Sequence, residues 1–246
     1  MYKIEDISVI IPTYNRADDL QHKTLRSIIP FSKNLREIII VDQSKKDETK
    51  FMLRSLKNRK IRYVYSKIPS ITLARNMGIE NVSKKSKIVC FLDDDVRVGR
   101  GYFENILKIF NENPEIYAVG GFHQYRKEEM GERFENFIRG MFFISHFRKN
   151  DARVISAYGN IYPSRLAGNI RPGWLPGFNT NYRKEIFDKQ RFDENLLGYT
   201  VAEDIDFTYR LNRLHPHSLM LTPFAEIRHL ASTVERYPTE RMSYVN

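Results

Sequence analysis

The chain has 246 residues, 41% of them hydrophobic, and a formal net charge of +10. This length and apolar content suit one α/β domain with insertions, or two small domains, around a sizeable core. The single cysteine, Cys90, excludes an internal disulfide framework and fits a reducing compartment.

The elements follow in chain order. The apolar run Ile7–Ile11 predicts a strand stopped by Pro12, and Leu20, Leu25, Ile28 and Ile29 predict a helix over 18–29. Residues 37–41 predict a second strand ending at Asp42, and 47–56 a helix carrying Phe51, Leu53 and Leu56. A third strand follows at 61–65, a helix at 73–82, a fourth strand at 88–92, a helix at 102–110 ended by Asn113-Pro114, and a fifth strand at 118–122. Strands alternating with helices predict a doubly wound, mostly parallel sheet with helices on both faces. From 123 to 172 the alternation stops, and this stretch is expected to be an insertion that frames a second pocket. Regular structure resumes near Asn179, with a helix at 202–214 and a strand at 219–221. The chain therefore reads as one domain, 1–246, in two halves: 1–122 for a nucleotide-type ligand and 123–246 for a second substrate and its chemistry.

Three aspartates, Asp93, Asp94 and Asp95, stand directly after the fourth strand. Like charges at a strand's carboxyl end need something positive there, and ligands of open α/β sheets bind at that end. Carboxylate oxygens suit a hard divalent cation, Mg2+ or Mn2+, with phosphates attached. Two more polar loops follow strand ends: Pro12-Thr13-Tyr14-Asn15-Arg16 and Asp42-Gln43-Ser44. Tyr14 offers a face for a base, Asp42 an acceptor for a base N–H, Asp93 an acceptor for a ribose hydroxyl and Asp95 a ligand for the cation. Together the loops describe a nucleoside-diphosphate site.

Several segments in order resemble glycosyltransferase family 2. They are Val9-Ile10-Ile11-Pro12-Thr13-Tyr14-Asn15-Arg16, Ile40-Val41-Asp42-Gln43-Ser44, Ala74-Arg75-Asn76-Met77-Gly78 and Phe91-Leu92-Asp93-Asp94-Asp95. They continue with the segment 176–184, then Phe192-Asp193-Glu194 and Glu203-Asp204-Ile205-Asp206-Phe207. The resemblance covers residues 7 to about 230. It implies the glycosyltransferase A fold, a nucleoside-diphosphate sugar donor with uridine as the commonest base, and an acceptor that is a glycan or lipid-linked. It places Pro12, Tyr14, Arg16, Asp42, Arg75, Asn76, Asp93 and Asp94 on the donor side, with Arg75 at the diphosphate, and Asp95 at the metal. It makes Asp204 the general base of an inverting transfer and Glu203 the group that orients the acceptor. His229 reads equally as a further metal ligand, better matched to manganese than magnesium, or as a packed histidine. Trp174 is a sugar platform or core. Processive relatives carry a Gln-x-x-Arg-Trp element after the base. Here Thr208-Tyr209-Arg210-Leu211 stands in its place, implying addition of one sugar.

Two other readings stand beside this one. A sugar-phosphate nucleotidyltransferase would carry a glycine-rich loop after its first strand, and residues 12–16 contain no glycine. A non-catalytic nucleotide or lipid-surface module would not need both Asp95 and Asp204. The basic residues form no run of five and no nucleic-acid motif, so nucleic acid is set aside as a partner. Residues 1–6 lack an apolar leader core, and no stretch reaches the ~18 apolar residues of a membrane span, so a cytoplasmic protein is expected. The aromatic segment 137–147, with Arg133, Arg139, Arg148 and Lys149 around it, is a core helix or a peripheral anchor on an anionic membrane face.

Overall fold

The computed structural model describes residues 1–123, 153–155, 159–163, 165–196, 202–230 and 232. The segment 137–147 and most of the expected insertion lie outside these residues.

The chain opens with β1 (Ile7–Thr13) and then a helical run, 17–31, in four pieces. These are α1 (Ala17–Asp19), a π-helical stretch Leu20–Leu25, α2 (Arg26–Ile28) and a 3-10 turn Ile29–Phe31. There follow β2 (Glu37–Asp42), α3 (Glu48–Ser55), β3 (Ile61–Tyr65), α4 (Ile71–Glu80), β4 (Ile88–Phe91) and β5 (Val96–Val98). Then come α5 (Tyr102–Glu112), β6 (Ala118–Gly121), the hairpin β7 (Arg153–Ile155) and β8 (Gly159–Ile161), and β9 (Thr180–Arg183). The last elements are α6 (Glu203–Leu214), β10 (Leu219–Thr222) and β11 (Ile227–His229).

Seven strands form one sheet in the order β10-β6-β9-β4-β1-β2-β3. All neighbours pair in parallel except β9, which runs antiparallel between β4 and β6. The expected mostly parallel sheet is present. β1 and β2 are buried along their whole length, which is why they read as mostly apolar runs rather than alternating ones; the buried Ser8 inside β1 donates to Glu37 of β2. Successive side chains alternate between two cores. Val9, Ile11, Ile38 and Ile40 pack with Leu20, Leu53, Phe103 and Phe110 on one face. Ile10, Ile39 and Val41 pack with Ala74, Ile79, Phe207 and Leu211 on the other. Helix α4 lies so close to β1 that a Cβ on Gly78 would fall 2.5 Å from Ile10 Cγ2.

Three details differ from the sequence reading. The helix expected over 18–29 is interrupted by its π-helical stretch, which turns Thr24 inward beneath the aspartates. Helix α4 starts at Ile71 rather than 73, because the Ser70 side chain caps it by accepting from Leu73 N–H. Strand β9 breaks the parallel pattern. Its buried polar residues hold it there: Asn181 Nδ2 donates to Val119 O and Tyr102 Oη, and the Arg183 guanidinium reaches Ile116 O and Phe110 O.

Pro12 explains where one ladder ends. β1 pairs with β2 as far as Thr13↔Asp42 but with β4 only as far as Ile10↔Phe91. Pro12 has no N–H to offer on the β4 side, so the strands part there and open a gap at their carboxyl ends. The three aspartates turn into that gap.

Candidate active site

The turn Asp93–Asp95 is fixed from below and from the side. Thr24 Oγ1 donates to Asp93 O (2.8 Å) and accepts from Val96 N–H (3.0 Å). Asp93 N–H donates to Phe178 O, tying the turn to the segment leading into β9. The antiparallel pair β11–β5 sets His229 opposite Val96, and Leu230 N–H then donates to Asp95 O. This register places His229 beside Asp95 although 134 positions separate them in the chain.

The three aspartates have three environments. Asp94 is buried; it accepts from Thr13 Oγ1 (2.7 Å) and lies 3.3 Å from Arg16 Nη1. Burial pushes its carboxyl up to about 7, against the pull of Arg16 and Thr13. Asp94 thus ties the loop after β4 to the end of β1 and the loop that follows it. Asp95 is also buried, and its Oδ2 accepts from Ser232 N–H (2.8 Å). Burial would raise its carboxyl, but the His229 imidazole and the Ser232 amide outweigh that and bring it down to about 2. Asp93 is partly exposed toward the cleft, and its carboxyl is raised by burial more than Arg75 lowers it.

Asp93, Asp95 and His229 each offer a ligand atom, and these atoms lie within 4.8 Å of one another. Asp95 Oδ1 is buried without an aligned hydrogen-bond donor among the described residues, and His229 Nε2 is 2.9 Å from it. Two ligands of one ion at about 2.0–2.2 Å are at most roughly 4.4 Å apart, so the cluster needs to tighten only slightly to hold a cation. Two carboxylates with one imidazole suit manganese better than magnesium. The His229 ring stacks on Phe178, centroids 5.1 Å apart, which fixes its plane.

A cleft of about 250 Å³ opens beside this cluster, lined by Arg75, Asp93, Trp174, Gly177, Glu203 and Asp204 among others. It joins the two halves of the chain. Arg75, on α4, is buried; Nη1 donates to Glu203 Oε1 (3.0 Å) and Nη2 lies 3.9 Å from Asp93 Oδ1. Its guanidinium sits over the Phe192 ring at 5.2 Å. Burial alone would favour the neutral form, but Glu203, Asp93 and Asp204 outweigh it and keep the guanidinium charged. Burial raises the Glu203 carboxyl even with Arg75 beside it. Asp204, in the first turn of α6, is partly exposed. Its Oδ2 accepts from Gly177 N–H (2.7 Å) and its Oδ1 from Ile205 N–H (2.8 Å).

The structure thus brings Arg75, Asp93, Asp95, Glu203, Asp204 and His229 together, with Arg16 and Asp94 alongside. Pro12 acts on the site through the strand gap, and Tyr14 is half-buried in the first loop. Asp42 is wholly buried at the end of β2, where it accepts from Tyr63 Oη (3.0 Å) and Ser44 N–H (3.0 Å). The structure does not bring Asn76 to the cleft. Its amide is taken up by Phe192 and Glu194, fastening that segment to α4. Two contributors went unread in the sequence. Thr24 carried no motif. Gly177 stood inside the family-like segment 176–184, but only the approach of Arg75 reveals why it must be glycine.

The sequence model described as "Glycosyl transferase family 2" matches residues 8–170. The chain belongs to that family. The family 2 chain is 25% identical over 201 residues to glycosyltransferase GlyA of Streptococcus pneumoniae, covering 79% of this chain and 27% of that protein. It is 29% identical over 154 residues to the minor teichoic acid biosynthesis protein GgaA of Bacillus subtilis, covering 57% of this chain and 34% of that one. The chain therefore spans about a quarter to a third of the length of these relatives. Among solved structures it superposes on GalNAc-T7 with UDP, GalNAc and Mn2+ at a TM-score of 0.69 and 17% identity, covering 92% of this chain and 44% of that one. The fold is glycosyltransferase A. Among the described residues, no helix is long and apolar enough to cross a membrane.

Proposed function

We propose that this family 2 domain transfers one sugar from a nucleoside-diphosphate sugar to an acceptor hydroxyl with inversion at the anomeric carbon. The observation that carries the reading is the convergence, in one cleft, of the Asp93–Asp95–His229 cluster with the Asp204 carboxylate.

The donor's base lies by Tyr14 and Asp42, with Asp93 at the ribose. A divalent cation held by Asp93, Asp95 and His229 would neutralise the departing diphosphate as a Lewis acid. Arg16, salt-bridged to Asp94, and the Arg75 guanidinium add fixed positive charge on the same side. Asp204 takes the acceptor proton as its oxygen attacks from the face opposite the leaving group. The two amides on Asp204 hold its carboxylate in one orientation. Glu203 orients the acceptor and is itself held by Arg75. Trp174 lines the cleft, which supports a stacking face for a sugar ring. A UDP-sugar with manganese fits the UDP and Mn2+ of the GalNAc-T7 structure and the imidazole in the cluster. The acceptor in this proposal is a glycan or lipid-linked, met at the cytoplasmic face of the membrane; the relative named for minor teichoic acid biosynthesis supports the glycan-polymer class alone. We read 1–246 as one domain with a donor half and an acceptor half.

The test is a panel of nucleotide-sugars with manganese or magnesium, read as sugar release and transfer, with the product anomer assigned by NMR. One sugar nucleotide turned over with inversion is expected. Retention, or nucleotidyl transfer onto a sugar phosphate, would overturn the proposal.

A further inference from the structure

The chain's positive charge is not spread evenly over the fold. Residues 45–67, which comprise α3, β3 and their loops, hold nine basic and two acidic residues. Those 23 positions carry seven of the chain's ten surplus charges. β3 is the edge strand of the sheet, so this unit forms one flank of the molecule. Lys45, Arg54, Lys57, Arg59 and Lys67 are exposed and form no salt bridge with any described residue. The same flank exposes three large apolar side chains: Phe51 is 61% exposed, Tyr65 54% and Ile68 57%.

Hydrogen bonds join the loops of this flank at the carboxyl ends of β2 and β3. Gln43 Nε2 donates to Ile68 O (2.7 Å) and Ser70 O (2.8 Å), and Ser66 N–H donates to Asp42 O. Asn15 Oδ1 accepts from Lys45 N–H, linking the flank to the loop after β1. Lys45, Lys46, Tyr65, Lys67 and Ile68 therefore stand at the same end of the sheet as the three aspartates.

We infer that this flank docks the domain on an anionic phospholipid bilayer. A cluster of unpaired cations recognises a negative leaflet. Exposed aromatic and aliphatic side chains between them enter the headgroup boundary, where such side chains are favoured. A soluble polyanion would use the cations but would leave Phe51, Tyr65 and Ile68 without a partner. Docking by this edge brings the cleft to the membrane surface side-on. The inference rests on charge and exposure, not on the catalytic assignment, so either can fail alone.

The test is co-sedimentation with vesicles of phosphatidylglycerol and phosphatidylcholine, against vesicles of phosphatidylcholine alone. The wild-type chain pellets with the anionic vesicles at low salt, stays in solution with the neutral ones, and is released by high salt. Each basic residue at an anionic surface is worth roughly fivefold in affinity. The triple variant Arg54→Glu/Lys57→Glu/Arg59→Glu therefore loses binding by two orders of magnitude or more. The control Lys84→Glu/Lys85→Glu/Lys108→Glu, with the same change in net charge, keeps most of it. Hydrogen exchange of the wild-type chain provides a readout that needs no variant: vesicles protect 45–67 above the rest. No pelleting at low salt, equal loss in both variants, or protection elsewhere would overturn the inference. Retention on soluble polyphosphate without vesicle binding would assign the flank to a polyanion and overturn it as well.

Discussion

Gly177→Ala tests how the two halves of the site are joined. The alanine Cβ would fall 2.5 Å from Arg75 Nη2, 3.0 Å from Nη1 and 2.9 Å from Asp204 Cβ. Carbon contacts settle at about 3.5–4.0 Å, so something must retreat by roughly 1 Å. The guanidinium cannot swing freely, because it is buried, bonded to Glu203 and seated over Phe192. Overpacking of this kind costs about 1–3 kcal/mol, which lowers the melting temperature by roughly 3–10 °C in a chain of this size. The larger effect is on chemistry. Asp204 is aimed by the Gly177 N–H, and a shift of about 1 Å at a reacting group costs on the order of 100-fold in rate. Arg75 faces Asp93, and Phe178, next in the chain, accepts from the aspartate turn, so nucleotide affinity with manganese should fall as well, though by less than turnover. Steady-state kinetics, a thermal melt and nucleotide titration separate these effects. A Gly177→Ala enzyme with unshifted melting and wild-type turnover would refute the close approach and the coupling built on it.

Other outcomes follow from the same geometry. Asp204→Asn keeps the shape of the side chain but removes the base. Transfer should fall by at least ~100-fold with donor affinity nearly intact, as seen in paired kinetics and calorimetry. Arg75→Lys keeps the charge but loses the planar fork that meets Glu203 and Asp93, so it should melt lower and turn over at least ~10-fold more slowly; a wild-type rate would show that any cation suffices. Glu37, at the far end of β2, is pushed up by burial but lowered on balance by Arg62, Ser83 and Ser8. A carboxyl with a depressed native value stabilises above its unfolded value of 4.5 and loses that contribution as pH falls below it. Wild type and Glu37→Gln should therefore differ in melting temperature near pH 7 and converge by about pH 3; a gap independent of pH would contradict the ionic account.

Much of the donor half was legible in the sequence because its physics is local. Strands buried on both faces must be apolar throughout, so Ile38-Ile39-Ile40-Val41 and Ile88-Val89-Cys90-Phe91 read as parallel strands. The polar residues that follow them sit where chain direction puts them. β9 was not legible as a strand, because Thr180-Asn181-Tyr182-Arg183 is mostly polar. It is buried only because distant carbonyls and Tyr102 accept its donors. The break in the 17–31 helical run was hidden for a related reason: Thr24 turns inward to serve a backbone turn some 70 residues away. The pairing of Arg75 with Glu203 spans 128 positions, and nothing local in either segment announces it. The nearness of His229 to Asp95 was equally hidden, because it comes from the β11–β5 register and not from the local sequence.

The central claim is that Asp95 helps hold a cation on which the nucleotide depends. Asp95→Asn preserves the size of the side chain and its acceptor for Ser232 N–H while removing the charge. Calorimetric titration of UDP into the wild-type chain should show binding with manganese and little in chelator. In Asp95→Asn, affinity with manganese should fall at least roughly tenfold, since changes even in the outer partners of metal ligands cost 10- to 100-fold. UDP binding that is the same in chelator as in manganese, or unchanged in Asp95→Asn, would contradict the account.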